Sequence, residues 1–192
     1  MPDMFICSPE DYYSVRMQDF IKRSCAEPRN RWIYNIIDGN IPDSEIVILR
    51  TVDWTLTRDR AGADGKWLAV LHDTTVHSLR DLRTAHLPVL LALRLQAAQA
   101  LRQHYGDDTL EFDMFVHYMP STFQLHVHVH VPSIMNAVRI DDDSRMHSRR
   151  QRLSHVVRNL RADGQYYARC LLFANMCKTV KSSGVYTALA TV

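Results

Sequence analysis

The segment Gln124-Leu125-His126-Val127-His128-Val129-His130-Val131 constrains the fold more than any other part of the chain. Its histidines alternate with valines, and a period of two among β-branched residues predicts a β-strand. Side chains alternate across a strand, so we expect the valines to enter a core and the histidines to share the other face. We call His126, His128 and His130 the histidine row. An unpaired imidazole is unfavourable to bury, so the row is expected to line an open, polar site.

Two chemistries, metal binding and nucleophilic attack on phosphorus, use such a row of histidines. The alternative is a half-exposed strand in which histidine serves only as a polar residue. Alternating histidines on a strand can supply two ligands to zinc. A neutral imidazole is also a good nucleophile near pH 7, and it can attack phosphorus to form a covalent intermediate that water hydrolyses. The spacing of the row leaves both chemistries open.

Composition and charge narrow the class of protein. The 192 residues suit one globular domain, or one domain with an extension. The net charge of +2 does not argue for duplex nucleic acid as a partner. The apolar run at 87–95 contains Pro88 and Arg94 and is too short to cross a bilayer, so we expect no membrane partner. Cysteines without Cys-x-x-Cys spacing predict reduced thiols in an intracellular protein; they are Cys7, Cys25, Cys170 and Cys177.

The order of predicted elements indicates an α+β fold with an antiparallel sheet. Ser8 followed by Pro9 predicts a helix start. A long helix is predicted over 84–104, with Gly106 ending it and a buried stripe at Leu87, Leu91, Ala98 and Leu101. A basic helix is predicted over 146–160. Strands are predicted over 31–37, 45–50, 53–57, 67–71, 110–119, 124–131 and 166–174.

Several strings in these segments carry a resemblance to a known family. They occur in the order RWIYNIIDG at 31–39, DGKW at 64–67, HSLRDLRTAHLPVL at 77–90, HYMPS at 117–121 and LHVHVHV at 125–131, followed by basic residues near Arg149. With them the chain resembles the scavenger mRNA-decapping enzymes of the histidine-triad (HIT) superfamily, from about Ser8 to Ala174. The pair HYMPS and LHVHVHV is the most specific, and RWIYNI with SLRDL and HLP separates this branch from other histidine-triad proteins.

The resemblance implies a HIT-like α+β fold, in which an antiparallel sheet carries two to three helices and the protein is a homodimer. On this basis residues 1-30 are an N-terminal helical segment, 31-180 the catalytic domain and 181-192 a C-terminal tail. The implied reaction is hydrolysis of the triphosphate bridge of 7-methylguanosine-capped dinucleotides or short capped RNA fragments, without metal or other cofactor. The products would be 7-methylguanosine monophosphate and a nucleoside diphosphate, formed through a nucleotidyl-histidine. We expect the protein in the cytoplasm, with the nucleus as a second compartment.

Two other functions stay open within this reading. One is hydrolysis of other dinucleoside polyphosphates, which would need no recognition of a methylated base. The other is binding of capped nucleotides without hydrolysis. A zinc site on the strand is the remaining alternative.

The resemblance also implies roles for individual residues. The implied catalytic group consists of His126, His128, His117 and Ser121. Lys66, His117 and Arg149 would meet the triphosphate charge, and Ser121 would donate a hydrogen bond to phosphate. Trp32 would stack on the cationic methylated base, and Asp64 would accept from the guanine edge. The implied substrate-binding set is Trp32, Asp43, Glu45, Asp64, Lys66, Gln124, His130 and Arg149.

The sequence departs from the family at four points, one of which is a shorter stretch between Trp67 and Ser78. The family acid that follows RWIYNI falls at Pro42, so Asp43 or Glu45 would replace it. Counting from HYMPS makes His126 the nucleophile and puts Gln124, an uncharged donor to phosphate, where the first histidine would stand. The general pattern of three alternating histidines instead centres on His128; the distance from Ser121 favours His126. Family members also carry a domain, which closes over the cap, before the region that begins here near Ser8.

Overall fold

The histidine-rich segment forms a strand in the middle of the main sheet. The structure is a computed structural model that describes residues 4–60, 64–135 and 150–175. Within these ranges, six antiparallel strands form one sheet in the order β2-β3-β4-β6-β5-β7, which confirms the predicted α+β class. They are β2 (Val47–Arg50), β3 (Trp54–Arg58), β4 (Lys66–Leu71), β5 (Asp113–His117), β6 (His126–His130) and β7 (Arg150–Arg152).

A second, two-stranded antiparallel sheet joins the two ends of the described chain, β1 (Met4–Cys7) with β8 (Leu172–Asn175). The described helices are α1 (Pro9–Tyr13), α2 (Val15–Ala26), α3 (Arg31–Asp38), α4 (Leu87–Tyr105), α5 (Leu153–Ala162) and α6 (Tyr166–Arg169). No helix in the described residues is long and apolar enough to cross a membrane.

Local sequence signals set the ends of several helices. The Ser8 hydroxyl accepts from the backbone N–H of Asp11, whose carboxylate accepts from the N–H of Ser8, so α1 starts at Pro9 as predicted. The helix breaks at Ser14, whose hydroxyl accepts from the N–H of Met17 and starts α2. Gly106 ends α4 with a φ of 67°, also as predicted.

The main core lies on the valine face of the sheet. Val127, Val129 and Val131 are fully buried there, as the alternation predicts. Helix α4 belongs to this core through Leu90, Leu93, Ala97 and Leu101, which are also fully buried. The predicted stripe is fully buried only at Leu101, and Leu87 and Leu91 pack against the same core. Leu87, Leu91 and Ala98 lie on the flanks of the helix and are only partly buried.

The segment RWIYNII is a helix, α3, and the strand predicted for it is wrong. Ile33 and Ile36, three residues apart, are its buried positions, and this spacing suits a helix. Ile33 packs with Leu68 and Val70 of β4. These two strand residues pair in register with His128 and His126, so α3 covers the same face of the sheet that carries the histidine row.

Two other predictions need correction near the end of the chain. The strand predicted over 166–174 is α6 followed by β8. The basic helix predicted from residue 146 begins, within the described residues, at Leu153, after the short strand β7. Residues 146–149 lie outside the described ranges.

Candidate functional site

The histidine row lies on β6 between two strands that supply its neighbours. His130 pairs in register with Lys66 of β4 and with Asp113 of β5. His128 pairs with Leu68 and Phe115 in the same way. Paired residues of antiparallel strands point to the same face, so the row is flanked by a lysine, a carboxylate and an aromatic ring.

Aromatic contacts hold the centre of the row. The ring of His128 stacks on Phe115, with centroids 5.0 Å apart and planes 7° from parallel. His117, from β5, lies with its ring centroid 4.2 Å from that of His128, and the ring centroid of His126 lies 5.1 Å from that of His128. The expectation of an open site is therefore wrong for His126, which is only 8% exposed. The helix over β4 and the rings of β5 cover this face.

One hydrogen bond decides which nitrogen of His126 can react. Its Nδ1 lies 2.7 Å from the backbone oxygen of Gln124. A carbonyl oxygen only accepts, so Nδ1 carries the proton and the neutral ring keeps its lone pair on Nε2. Burial lowers the pKa of His126, which keeps the imidazole neutral near pH 7. His126 therefore has the tautomer and charge of a nitrogen nucleophile.

The rest of the row is also uncharged near pH 7. Burial, followed by the neighbouring His126, lowers the pKa of His128 far below its ordinary range. Within the described part of the chain, Nε2 of His128 is buried without a hydrogen-bond partner. Burial, followed by the charges of Arg150 and Lys66, lowers the pKa of His130 to about 4.

Cations and one hydroxyl lie around the row. Arg150 lies on β7 opposite His117. Its guanidinium carbon is 4.3 Å from the centroid of the Phe115 ring, and its Nη1 is 3.4 Å from the carboxylate of Asp113. Lys66 begins β4 beside His130. Ser121 is exposed in the connection between β5 and β6. Arg149, the arginine expected from the resemblance, lies outside the described residues.

Gln124 was predicted to donate to a phosphate, and its contacts in the structure do not allow this. It is fully buried, and its Nε2 donates to the carbonyls of Leu71 at 2.8 Å and Asp73 at 3.0 Å. Both amide hydrogens are used in these bonds, so the side chain has no donor left for a ligand. Gln124 instead orients His126 through its own backbone carbonyl.

A second concave site lies beside α3. It is a cavity of about 290 Å³ lined by Pro28, Arg29, Trp32, Asn35, Pro42, Glu45 and Arg60. The structure thus brings together two of the predicted base-binding residues, Trp32 and Glu45. Trp32 packs against the apolar cluster under α3. The Glu45 side chain is only 10% exposed, and its carboxylate accepts from Nε of Arg60 at 2.8 Å.

Asp43 and Asp64 are not among the described residues that line this cavity. Asp43 is exposed. The carboxylate of Asp64 lies 3.3 Å from Arg58 and accepts from the Tyr105 hydroxyl at 3.4 Å. That tyrosine belongs to α4, which packs on the valine face, so Asp64 is not held beside Trp32.

Sequence reasoning missed Phe115, Arg150 and Arg60. Alternation along β5 would have found Phe115, which lies two residues before His117 and so on the same face. Arg150 was visible only as part of a basic cluster. Nothing in the spacing around Arg60 pointed to Trp32. Within the described ranges, no group of three or more histidine, cysteine, aspartate or glutamate side chains could hold a metal ion.

Comparison with known proteins gives consistent matches. A family model described as "Scavenger mRNA decapping enzyme C-term binding" matches residues 31–140. The m7GpppX diphosphatase of Homo sapiens is 27% identical over 178 residues, which cover 86% of this chain and 49% of the relative. The m7GpppX diphosphatase of Ascaris suum is 27% identical over 180 residues, covering 86% and 54%. The chain thus spans about half the length of the curated relatives it matches.

Similarity to solved structures is weaker. A HIT family hydrolase from Legionella pneumophila Philadelphia 1 has 20% sequence identity and a TM-score of 0.42, and covers 50% of this chain and 87% of that one. A second structure, "Hnt3 in complex with DNA and guanosine", has 16% identity and a TM-score of 0.47, and covers 81% and 92%.

Proposed function

The chain belongs to the scavenger mRNA decapping enzyme family, and we propose that it hydrolyses the triphosphate bridge of 7-methylguanosine-capped dinucleotides or short capped RNA fragments. The observation that carries this proposal is His126, whose Nδ1 is occupied by the Gln124 carbonyl so that Nε2 is the reactive atom. The products are 7-methylguanosine monophosphate and a nucleoside diphosphate.

The reaction proceeds in two displacements at the phosphorus next to 7-methylguanosine. Nε2 of His126 forms a bond to this phosphorus while the bond to the oxygen of the nucleoside diphosphate breaks in line. Water then attacks the nucleotidyl-histidine, breaks the nitrogen–phosphorus bond and restores the imidazole. His117 and His128 orient the nucleophile through their ring contacts. His126 is preferred to His128 because Nε2 of His128 is buried and because the bond to the Gln124 carbonyl fixes the reactive tautomer only at His126.

Side chains meet the charge of the triphosphate in this proposal. Lys66 and Arg150 are the described cations beside the row, and Arg149 is the further one expected from the family. Ser121 donates a hydrogen bond to a phosphate oxygen. We expect activity to survive excess chelator; activity lost to chelator and restored by zinc would favour the strand-borne zinc site.

The base site of the proposal is the cavity beside α3. Methylation at N7 makes guanine cationic, and a cation is attracted to the face of a tryptophan. Trp32 supplies that face, and the carboxylate of Glu45 accepts from the N–H groups of the guanine edge. Glu45 is preferred to Asp43 because it lines the cavity with Trp32. This site lies on the same side of the sheet as the histidine row, since α3 packs over β4 there.

Product analysis with a methylated cap dinucleotide and its unmethylated counterpart tests the proposal. Release of 7-methylguanosine monophosphate, with slower turnover of the unmethylated compound, is expected. Equal turnover of both compounds would indicate a general dinucleoside polyphosphate hydrolase. Binding of the methylated compound without any product would indicate a binding module.

The homodimer and the cellular compartment remain proposals. A groove of about 750 Å³ lies between α4, the segment before β5 and the start of α5. It contains Leu95, which is 72% exposed, together with Leu91 and Phe112. We propose that a second copy of the chain covers this groove. The proposed compartments are the cytoplasm and the nucleus, where capped fragments would be found.

A further inference from the structure

The cavity beside α3 already holds a cation from the chain itself. The guanidinium carbon of Arg60 lies 5.7 Å from the centroid of the Trp32 ring, within the range of a cation–π contact. Its Nε donates to the Glu45 carboxylate at 2.8 Å. Both groups that the proposed base site offers, the aromatic face and the acid, therefore contact Arg60.

The guanidinium of Arg60 resembles the ligand chemically. The edge of guanine that carries N1 and N2 is itself a guanidine, and it presents two N–H donors as arginine does. N7-methylation adds the positive charge that arginine also carries. A site that attracts a methylated guanine by an aromatic face and a carboxylate is therefore a site that attracts an arginine side chain.

The base and the guanidinium do not fit over Trp32 together in this arrangement. A base stacked on the indole would lie roughly 3.5 Å above it, and a guanidinium stacked on that base another 3.5 Å higher, which is about 7 Å in all. The Arg60 guanidinium carbon lies no more than 5.7 Å from the ring centre. A base that stacks on the same face of Trp32 therefore competes with the Arg60 guanidinium for the space above the ring. The Arg60 side chain is 52% exposed, so it can leave the cavity toward solvent.

We propose that Arg60 is an internal competitor for the Trp32–Glu45 site, and that it sets the ligand affinity at which this site fills. The inference rests on the proposed function, because it takes this cavity as the base site. Either base, methylated or not, must displace the same guanidinium. The competitor therefore raises both dissociation constants by one common factor, while Trp32 sets the ratio between them.

Binding of nucleosides to the intact chain tests the inference. We use 7-methylguanosine and guanosine, because they lack phosphates that could attract Arg60 for a different reason. Calorimetric titration of Arg60→Ala should show both nucleosides binding about three- to tenfold more tightly, since an exposed ion pair and an exposed cation–π contact are each weak. The ratio between the two dissociation constants should stay the same. Arg60→Lys keeps the charge but lacks the planar fork, so its gain should be smaller.

Arg58→Ala is the matched control. Arg58 is an arginine close to Arg60 in sequence that also forms an ion pair, with Asp64, but it is not among the described residues that line the cavity. Its removal should leave both affinities unchanged. An equal gain in Arg58→Ala and Arg60→Ala would overturn the inference, because the gain would then reflect only the loss of positive charge.

The remaining outcomes separate the inference from the proposed function. If the parent protein binds 7-methylguanosine more tightly than guanosine but Arg60→Ala binds them no better, the competitor is refuted and the base site stands. Weaker binding of guanosine in Arg60→Ala would show that Arg60 stacks on the base rather than competing with it. If neither nucleoside binds to parent or variant, the cavity is not a base site and both ideas fail.

Discussion

At the scale of single residues, the chemistry of the site depends on burial that keeps imidazoles neutral. His126, His128 and His130 all have a lowered pKa, and in each case desolvation is the main cause. A neutral imidazole is the form that can attack phosphorus. The carbonyl of Gln124 fixes the tautomer of His126 that the proposed attack requires.

His126→Asn should abolish turnover of a methylated cap dinucleotide, because the amide nitrogen of asparagine is not nucleophilic and cannot form the covalent intermediate. His128→Ala should lower turnover but leave it measurable, because only the orientation of His126 is disturbed. Product formation at saturating substrate measures both effects. If the His128 variant is inactive while the His126 variant keeps a near-normal rate, His128 is the nucleophile instead of His126.

His130 should make the free energy of unfolding depend on pH. Its pKa is about 4 in the folded protein and near 6.5 when unperturbed. Between these values the unfolded chain binds a proton that the folded chain does not, so stability falls as the pH drops from 6.5 to 4. His130→Gln should reduce the slope of this part of the profile, measured by denaturant unfolding at several pH values. The lowered pKa values of His126 and His128 should keep the rest of the slope.

At the scale of elements, α3 positions the proposed base site. Arg50 donates to the carbonyls of Ile36 and Ile37 and so satisfies the last turn of this short helix. Ile33 and Ile36 are buried, so Trp32 projects at the flank of the apolar cluster and lines the cavity. The helix therefore places one aromatic face where a base can reach it.

Trp32→Ala should weaken binding of a methylated cap dinucleotide far more than binding of the unmethylated compound. The cation–π contribution that separates the two ligands is about 0.5–2 kcal/mol. Titration into the His126→Asn background measures both affinities without turnover. Equal affinities for the two ligands in protein with intact Trp32 would remove the cap assignment.

Arg80 links its own segment to β1 and to helix α6, which are both distant from it in sequence. It is fully buried and donates to the backbone carbonyls of Cys7, Tyr167 and Cys170. Arg80→Met should lower the free energy of unfolding by about 3 kcal/mol or more, because these buried carbonyls would lose their donor. Denaturant unfolding measures the loss. Arg161→Met, at an exposed position of α5, should change stability by less than about 0.5 kcal/mol.

At the scale of the whole molecule, the groove beside α4 is the surface proposed for a second copy. Light scattering at micromolar concentration should give the mass of a homodimer. Leu95→Glu should shift the mass toward the monomer, because it replaces an exposed apolar side chain of the groove with a charged one. Val52→Glu, at a position that is 87% exposed outside the groove, should leave the dimer intact. A monomeric parent protein would contradict the proposal.

The sequence predicted the parts of the fold that depend on neighbours along the chain. The alternation around His126 predicted the strand and its two faces, and Ser8 and Gly106 predicted helix ends, because these signals act within a few residues. The sequence also contained the family strings. From these strings His126 was predicted as the nucleophile, and Trp32 was predicted to bind the base together with an acid from the loop that follows.

Only the tertiary structure decided what each residue contacts. RWIYNII was predicted to be a strand, but it forms a helix whose Ile33 packs against Leu68 and Val70. The sequence allowed Gln124 to face a phosphate, but in the structure it donates both amide hydrogens to the carbonyls of Leu71 and Asp73. No periodicity in the sequence predicts that Arg60 contacts Trp32 and Glu45. Periodicity reports the face on which a side chain lies, whereas partners, burial and pKa depend on segments that only folding brings together.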